Sequence, residues 1–336
     1  MILFGKNLDT EIAVIAEVGV NHEGSLDKAM ELLELASDAG ADAVKLQTYT
    51  PERFISAADP VRFERVTRFG LSVDDLKQLA DKANQIGITL FSTPVTEDVI
   101  PMLDTLFPVF KIASGDLTFE PTIRAVARTG KPAILSTGIG NMQEIETAID
   151  WFRDEAGVDD LRDRLILMHC VSAYPTPIEQ ANVMSVPFLA EKTGLRVGYS
   201  NHVIGPEASI AAAAHGASVI EVHFTDCKTG RDFRDHELSF EPDDLKHLVE
   251  ILPAVNAAVG IYKKEPMACE IANRTATRKG MVCAGSIEAG TVLTRADIMF
   301  ARPEGEYAVS ELDKLVGMKT LVPLAKGQPF QRDQIK

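Results

Sequence analysis

Two histidines, His202 and His223, close the apolar runs RVGYSNH and VIEVH. Imidazole nitrogens suit first-row divalent metals, and two of them leave coordination positions open for water, a carboxylate or a substrate oxygen. No HxH or HExxH motif is present, so a metal site requires that both runs end at one place. The alternative is a pair of hydrogen-bonded structural histidines. Glu17 closes a third run, IAVIAE, and would stand beside His223 if first and last strands meet. Asp235, in the loop TGRDFRDHEL, is a second acidic candidate, although loop aspartates are commonly just solvated. The other histidines, His22, His169, His215, His236 and His247, fall in loops, a strand interior or helices and read as structural.

A second set of residues is cationic and hydroxylic: Lys45, Lys111, Ser114, Ser136, Ser172 and Ser200. A lysine at a buried strand end is costly unless its charge meets an anion. Hydroxyls and backbone N–H groups around it complete a cradle for phosphate or carboxylate. The structural alternative is an ion pair across the mouth, for instance Lys45 with Glu17. Two lysines against one or two carboxylates leave positive charge over, which favours an anionic ligand. The loops SGD at Ser114–Asp116 and STGIG at Ser136–Gly140 resemble neither GxGxxG nor a P-loop, so no nucleotide is indicated.

Asp235 and the histidines read as structural aside, these residues sit in or at the ends of eight short apolar runs, IAVIAE, ADAVKLQ, ITLFST, VFKIAS, PAILST, LILMHCVSAY, RVGYSNH and VIEVH. A stretch with helical spacing follows each, as in LDKAMELLELASDAG, where Leu26, Met30, Leu33 and Ala36 share a face and Gly40 ends the run. Strands alternating with helices, with functional side chains gathered at the strand C-termini, predict a (β/α)8 barrel over residues 1–262. The competing architecture is a doubly wound open sheet, which does not naturally produce so regular a repeat. Residues 263–280 read as a polar linker. Residues 281–336 read as a compact, mostly β module near the lower size limit for independent folding, so it is expected to lean on a barrel, its own or a partner's.

Composition excludes several classes. With 49 acidic against 34 basic residues the net charge is -15, which argues against nucleic acid or an anionic membrane as partner. A few cations in a cleft can still bind a small anion. The start MILFGKNLDTEIAV lacks the layout of a signal peptide and no apolar run reaches the roughly 18 residues that span a bilayer, so a cytoplasmic protein is expected. The four cysteines, Cys170, Cys227, Cys269 and Cys283, form no CxxC pair and are expected to be reduced.

Taken in order, AEVGVNHEGS, AGADAVKLQTY, FSTP, KIASGD, LSTG, HCVSAYPTP, GYSNH and EVHF resemble the sialic acid synthase (N-acetylneuraminate synthase) family. SIEAGTVLTRADIMFARPEGE and the KGQPF ending resemble its antifreeze-like, or SAF, domain. The resemblance implies condensation of phosphoenolpyruvate with the aldehyde of an open-chain N-acetylated hexosamine. It implies His202 and His223 as ligands of Mn2+ or Mg2+, and Lys111, Ser114, Ser136, Ser172 and Ser200, with Lys45 beside them, as the phosphoenolpyruvate cradle. Glu17, Gln47, Thr93, Tyr174, Asn201 and Asp235 match positions that hold the sugar or assist proton transfer. Arg302, in ARPEGEY, matches an arginine that one subunit lends to its partner, which implies a domain-swapped homodimer. SGDLTFE, FRDH and EGEY depart from the family's usual wording where the sugar tail is expected, which leaves the acceptor open. Two other functions stay in view: a metal-dependent sugar aldolase or isomerase on the same barrel, and a non-catalytic carbohydrate-binding protein.

Overall fold

The computed structural model describes residues 1–231, 233 and 235–336; Asp232 and Arg234, of the TGRDFRDHEL loop read from the sequence, lie outside the described residues. The chain divides into two compact units, Met1–Gly260 and Ile261–Lys336. Among the described residues no helix is long and apolar enough to cross a membrane.

In the first unit eight parallel strands close into a barrel. They are β1 (Ala13–Gly19), β2 (Ala43–Thr48), β3 (Thr89–Pro94), β4 (Phe110–Ile112), β5 (Ala133–Ser136), β6 (Leu165–His169), β7 (Arg196–Asn201) and β8 (Val219–His223). Pairing of β8 with both β7 and β1 closes the ring and excludes the open sheet. Every residue of β1, β5, β6 and β8 is buried, which is why these strands read as nearly continuous apolar runs rather than alternating ones. Closure sets a register in which His223 pairs with Glu17 and Glu17 with Lys45. Side chains alternate along a strand, so Glu221 and His223 point to the same side.

The helices on the outer face are α1 (Leu26–Asp38), α2 (Val73–Ile86), α3 (Ile100–Leu106), α4 (Glu120–Arg128), α5 (Met142–Ala156), α6 (Ser185–Thr193), α7 (Glu207–Ala214) and α8 (Pro242–Val259). Their ends carry local signals. A reciprocal Ser72–Asp75 capping box opens α2, whose buried face is Leu76, Leu79, Ala80 and Ala83, and Gly87 ends it in the left-handed conformation with φ 79°. The sequence reading did not anticipate two short helices, Pro51–Phe54 and Pro60–Phe69, inserted between β2 and α2. The second begins as such a helix should: the Asp59 side chain accepts from the Arg62 N–H, and Pro60 takes the first helical position.

The second unit begins with helical turns at Ala268–Ile271 and Arg274–Thr277, within the stretch read as a linker. It continues with an antiparallel pair, β9 (Gly280–Cys283) and β10 (Ile298–Ala301). Met281, Cys283, Ile287, Leu293, Leu315, Leu324 and Phe330 form a core of its own. Single bridges, such as Ile287–Leu324 and Thr320–Ile335, join its turns, so the expected compact β module is a set of bridged loops around one short ribbon. The four cysteines are free.

Candidate active site

The C-terminal ends of the barrel strands surround a cavity of about 1140 Å³. Its floor is a buried lattice of charge. Lys45 Nζ lies 2.8 Å from Glu17 Oε2 and 3.6 Å from Glu221 Oε1, and donates to Thr93 Oγ1 at 3.2 Å. Gln47 Nε2 donates to Glu17 Oε1 at 3.0 Å, and Ser200 Oγ to Glu221 Oε1 at 3.1 Å. Burial weakens the Lys45 ammonium, but the Glu17 and Glu221 carboxylates outweigh it and hold its pKa above the ordinary lysine value. Burial would raise Glu221, and Lys45 and Lys111 pull it well below the usual carboxylate range.

Lys111 behaves differently. Its Nζ donates to Ser136 Oγ and to the Ile112 carbonyl. Burial dominates, Lys45 adds to it, and the opposing pull of Glu221 does not compensate, so its pKa falls below the ordinary lysine value. The floor therefore holds one fixed cation and one that gives up its proton more readily. These two lysines face two carboxylates, so the surplus of positive charge expected from the sequence is cancelled by Glu221, which the sequence reading did not single out.

A cluster of hydroxyls stands beside Lys111. The Gly138 N–H donates to Ser114 Oγ at 3.2 Å, and that oxygen is 3.1 Å from Cys170 Sγ. Ser172 Oγ is buried with no hydrogen-bond partner among the described residues. A Cβ on Gly138 would come within 2.5 Å of Ser172 Oγ and 2.7 Å of Ser114 Oγ, so only glycine leaves this cradle open. Hydroxyls, an ammonium and a backbone N–H converging on one space are the donors that a phosphate or carboxylate requires.

The histidines lie at the β7–β8 side. His202 Nδ1 is 2.6 Å from the Val171 carbonyl; a carbonyl only accepts, so Nδ1 carries the proton and Nε2 keeps its lone pair. Burial first, and then the neighbouring His223, push His202 down to about 3, so the ring is neutral at ordinary pH. The two imidazole centroids are 5.4 Å apart, and the Tyr174 ring lies 4.2 Å from that of His202. Two imidazoles at this spacing, one of them oriented by a carbonyl, fit a divalent cation whose other positions are taken by water or substrate. Among the described residues no third His, Cys, Asp or Glu completes a metal-binding group with them.

Asp235 opens a short helix, Asp235–Leu238, that is tied to the loop after β1. Ser239 Oγ donates to the Asp235 carbonyl at 2.6 Å and accepts from Asn21 Nδ2 at 3.0 Å. His236 bridges the same two loops, with Nε2 3.1 Å from Glu23 Oε1 and Nδ1 2.7 Å from Thr225 Oγ1.

The profile of the NeuB family matches residues 32–264, and that of the SAF domain residues 278–336. The chain belongs to the NeuB family. Relatives of this NeuB-family protein include an uncharacterized protein of Methanocaldococcus jannaschii, 38% identical over 86% of this chain and 84% of that one. The N,N'-diacetyllegionaminic acid synthase of Legionella pneumophila is 33% identical over 96% of this chain and 94% of its own. The N-acetylneuraminic acid synthetase of Leptospira borgpetersenii, solved with citrate, superposes with a TM-score of 0.72 and 33% identity, covering 77% of this chain and 89% of that one. The named homologues are thus nonulosonic acid synthases.

Of the residues singled out from sequence, Glu17, Lys45, Gln47, Thr93, Lys111, Ser114, Ser136, Ser172, Tyr174, Ser200, His202, His223 and Asp235 all line this same cavity of the NeuB-family barrel. Asn201 does not. It follows Ser200 on β7 and points the other way, its Nδ2 donating to the Val203 and Gly205 carbonyls at 2.9 and 3.2 Å, so it braces the loop rather than meeting a ligand. Arg302 lies in the second unit just after β10, with its Nε donating to the Thr277 carbonyl.

Other cavity residues were missed. Glu221 was findable, because it lies two residues before His223 on the same strand and must share its face. Asp116 also lines the cavity; its Oδ2 is buried without a partner among the described residues, and burial pushes its pKa up to about 6. Arg62 and Arg65 line the outer wall from the unanticipated helix, whose Asp-Pro start was a legible signal.

Proposed function

We propose that this protein condenses phosphoenolpyruvate with the open-chain aldehyde of an N-acetylated hexosamine, N-acetylmannosamine or a related amino sugar, giving a nine-carbon 2-keto-3-deoxy acid and phosphate. The observation that carries this reading is the floor itself: two lysines with pKa values shifted in opposite directions, set among hydroxyls and facing a pair of imidazoles.

In this reading Lys111, Ser114, Ser136, Ser172 and Ser200 receive the phosphate and carboxylate of phosphoenolpyruvate, with Lys45 as a fixed positive charge beside them. Gln47, Thr93, Tyr174 and Asp235 surround the sugar. When bound at His202 and His223, a divalent cation such as Mn2+ or Mg2+ supplies Lewis-acid polarisation of a carbonyl oxygen. The methylene carbon of phosphoenolpyruvate bonds to the aldehyde carbon as the aldehyde C=O π bond breaks and its oxygen takes a proton from solvent, leaving cationic character at the former enol carbon. Water adds there and gives its proton to Glu17, which Gln47 and Lys45 hold in place. The resulting tetrahedral centre breaks its C–O bond to the phosphorus-bound oxygen while its hydroxyl gives its proton to solvent and becomes the 2-keto group, with the Lys111 ammonium positioned to donate a proton to the leaving phosphate.

The test is phosphate release with a panel of amino sugars, phosphoenolpyruvate and Mn2+, with the product acid identified by mass spectrometry. Release that requires both substrates supports the synthase; release from neither, or a product formed without phosphoenolpyruvate, overturns it. The resemblance to sialic acid synthases also supports a homodimer in which Arg302 completes the partner's site. Mixing Arg302→Ala with His202→Ala subunits then restores turnover that neither variant has alone. A mixture as inactive as its components places the arginine in its own subunit's site.

A further inference from the structure

We propose that the acceptor sugar carries a phosphate monoester at the end away from its aldehyde, and that Arg62 and Arg65 bind that group. The proposal rests on the synthase reading and adds the chemical class of the acceptor.

The cavity extends from the charged floor past Tyr49 and Phe54 to the helix Pro60–Phe69, where Arg62 and Arg65 line it. They are three residues apart and therefore neighbours on one face. Among the described residues neither makes an ion pair with an acid. The contrast with Arg53 on the same wall is sharp, because Arg53 is neutralised by Glu97 and Asp98. Arg68, also on the helix, lies over the Phe69 ring at 5.0 Å and does not reach the cavity.

Two guanidinium groups lining a cavity with no acid partner among the described residues are unusual in a chain of net charge -15, where acids are plentiful. Each is steadied by an aromatic ring rather than by a carboxylate: Arg62 over Phe54 and Arg65 over Phe233, both at 5.8 Å. Stacking of this kind holds the plane of the guanidinium and leaves its N–H edge open for an oxyanion. The helix is itself anchored by buried Val66 and Phe69, and Phe69 meets Phe233 edge to face at 5.4 Å.

The floor does not need these arginines, since Lys45 and Lys111 face Glu17 and Glu221 and the cradle stands beside Lys111. At about 1140 Å³ the cavity exceeds the usual range for one small ligand, which gives room for phosphoenolpyruvate and for a sugar reaching outward. A dianionic phosphate matches two arginine forks, whereas a neutral acetamido or deoxy terminus would leave both merely solvated.

Steady-state kinetics with N-acetylmannosamine and N-acetylmannosamine 6-phosphate, each with phosphoenolpyruvate, test this in the wild type and in the Arg62→Gln, Arg65→Gln double variant. We expect the wild type to favour the phosphorylated sugar at least tenfold in kcat/KM. In the variant that ratio falls at least tenfold, through the KM of the phosphorylated sugar. A wild-type ratio near one, a ratio unchanged in the variant, or a variant defect confined to the KM of phosphoenolpyruvate overturns the proposal. If neither sugar nor any other in the panel releases phosphate, the synthase reading itself falls. Calorimetric titration with N-acetylmannosamine 6-phosphate then tests the arginines separately: binding weakened in the variant supports them, and absence of binding to the wild type overturns them.

Discussion

The floor and the rim of the cavity solve the problem of holding charge in opposite ways. On the floor, Lys45, Glu17 and Glu221 are each only 2–3% exposed, and these three charges pair through the Lys45 ammonium. At the rim, Arg62 and Arg65 are exposed and meet no acid among the described residues. Burial forces pairing, because an isolated charge out of water is too costly to keep. Exposure lifts that constraint, so rim charges are free to wait for a ligand. The floor is thus suited to chemistry shared by all substrates of the reaction, and the rim to choosing among them.

Removing one partner from the floor gives the largest effect. Lys45→Met leaves Glu17 and Glu221 buried against each other, and urea melts should show a loss of about 3–5 kcal/mol. A loss under ~1 kcal/mol would mean that the lattice is not what holds these acids. His202→Ala should lower turnover at least ~100-fold while leaving the melt close to wild type, and chelation should do the same. Full activity after either treatment removes the metal from the mechanism.

Asp116 lies between the two regimes, being partly buried with its pKa raised from 3.8 to about 6 by burial. Its folded-state pKa exceeds the unfolded value, so its stabilising contribution is complete below pH ~4 and is lost as pH rises through about 6. Asp116→Asn should therefore match the wild type near pH 4 and exceed it by ~1–2 kcal/mol at pH 7.5, allowing for solvent at this partly exposed site. Equal differences at both pH values would refute the burial argument. The rim should be the least sensitive: Arg65→Gln is expected to move stability by less than ~0.5 kcal/mol, the usual range for a solvated side chain. A larger loss would show that the rim is braced like the floor.

The barrel was legible because each strand is buried on both faces and each helix on one, so the repeat of apolar run and helical stretch survives in the sequence. The inward residues were legible for the same reason, as Lys45 and Lys111 lie within apolar strands, His223 ends one and His202 follows one. Asn201 misled because a motif names residues without their facing, and one step along β7 turns a side chain away from the cavity. Arg62 and Arg65 escaped because a ten-residue helix inside a loop leaves a weak periodic signal. In the C-terminal module the turn residues were plain, but the pairing was not: bridges such as Thr320–Ile335 join single residues rather than strands.

The alternation of the eight barrel strands with their main helices and the reactive residue types along the strands follow from the sequence alone, since periodicity and turn chemistry are local. Charge balance is not local. Lys45 meets Glu221 only because the last strand closes on the first, and that contact turned an expected excess of positive charge into a neutral floor. The unpaired charge lies instead at the rim, where folding brings two arginines to the cavity with no acid among the described residues to pair them.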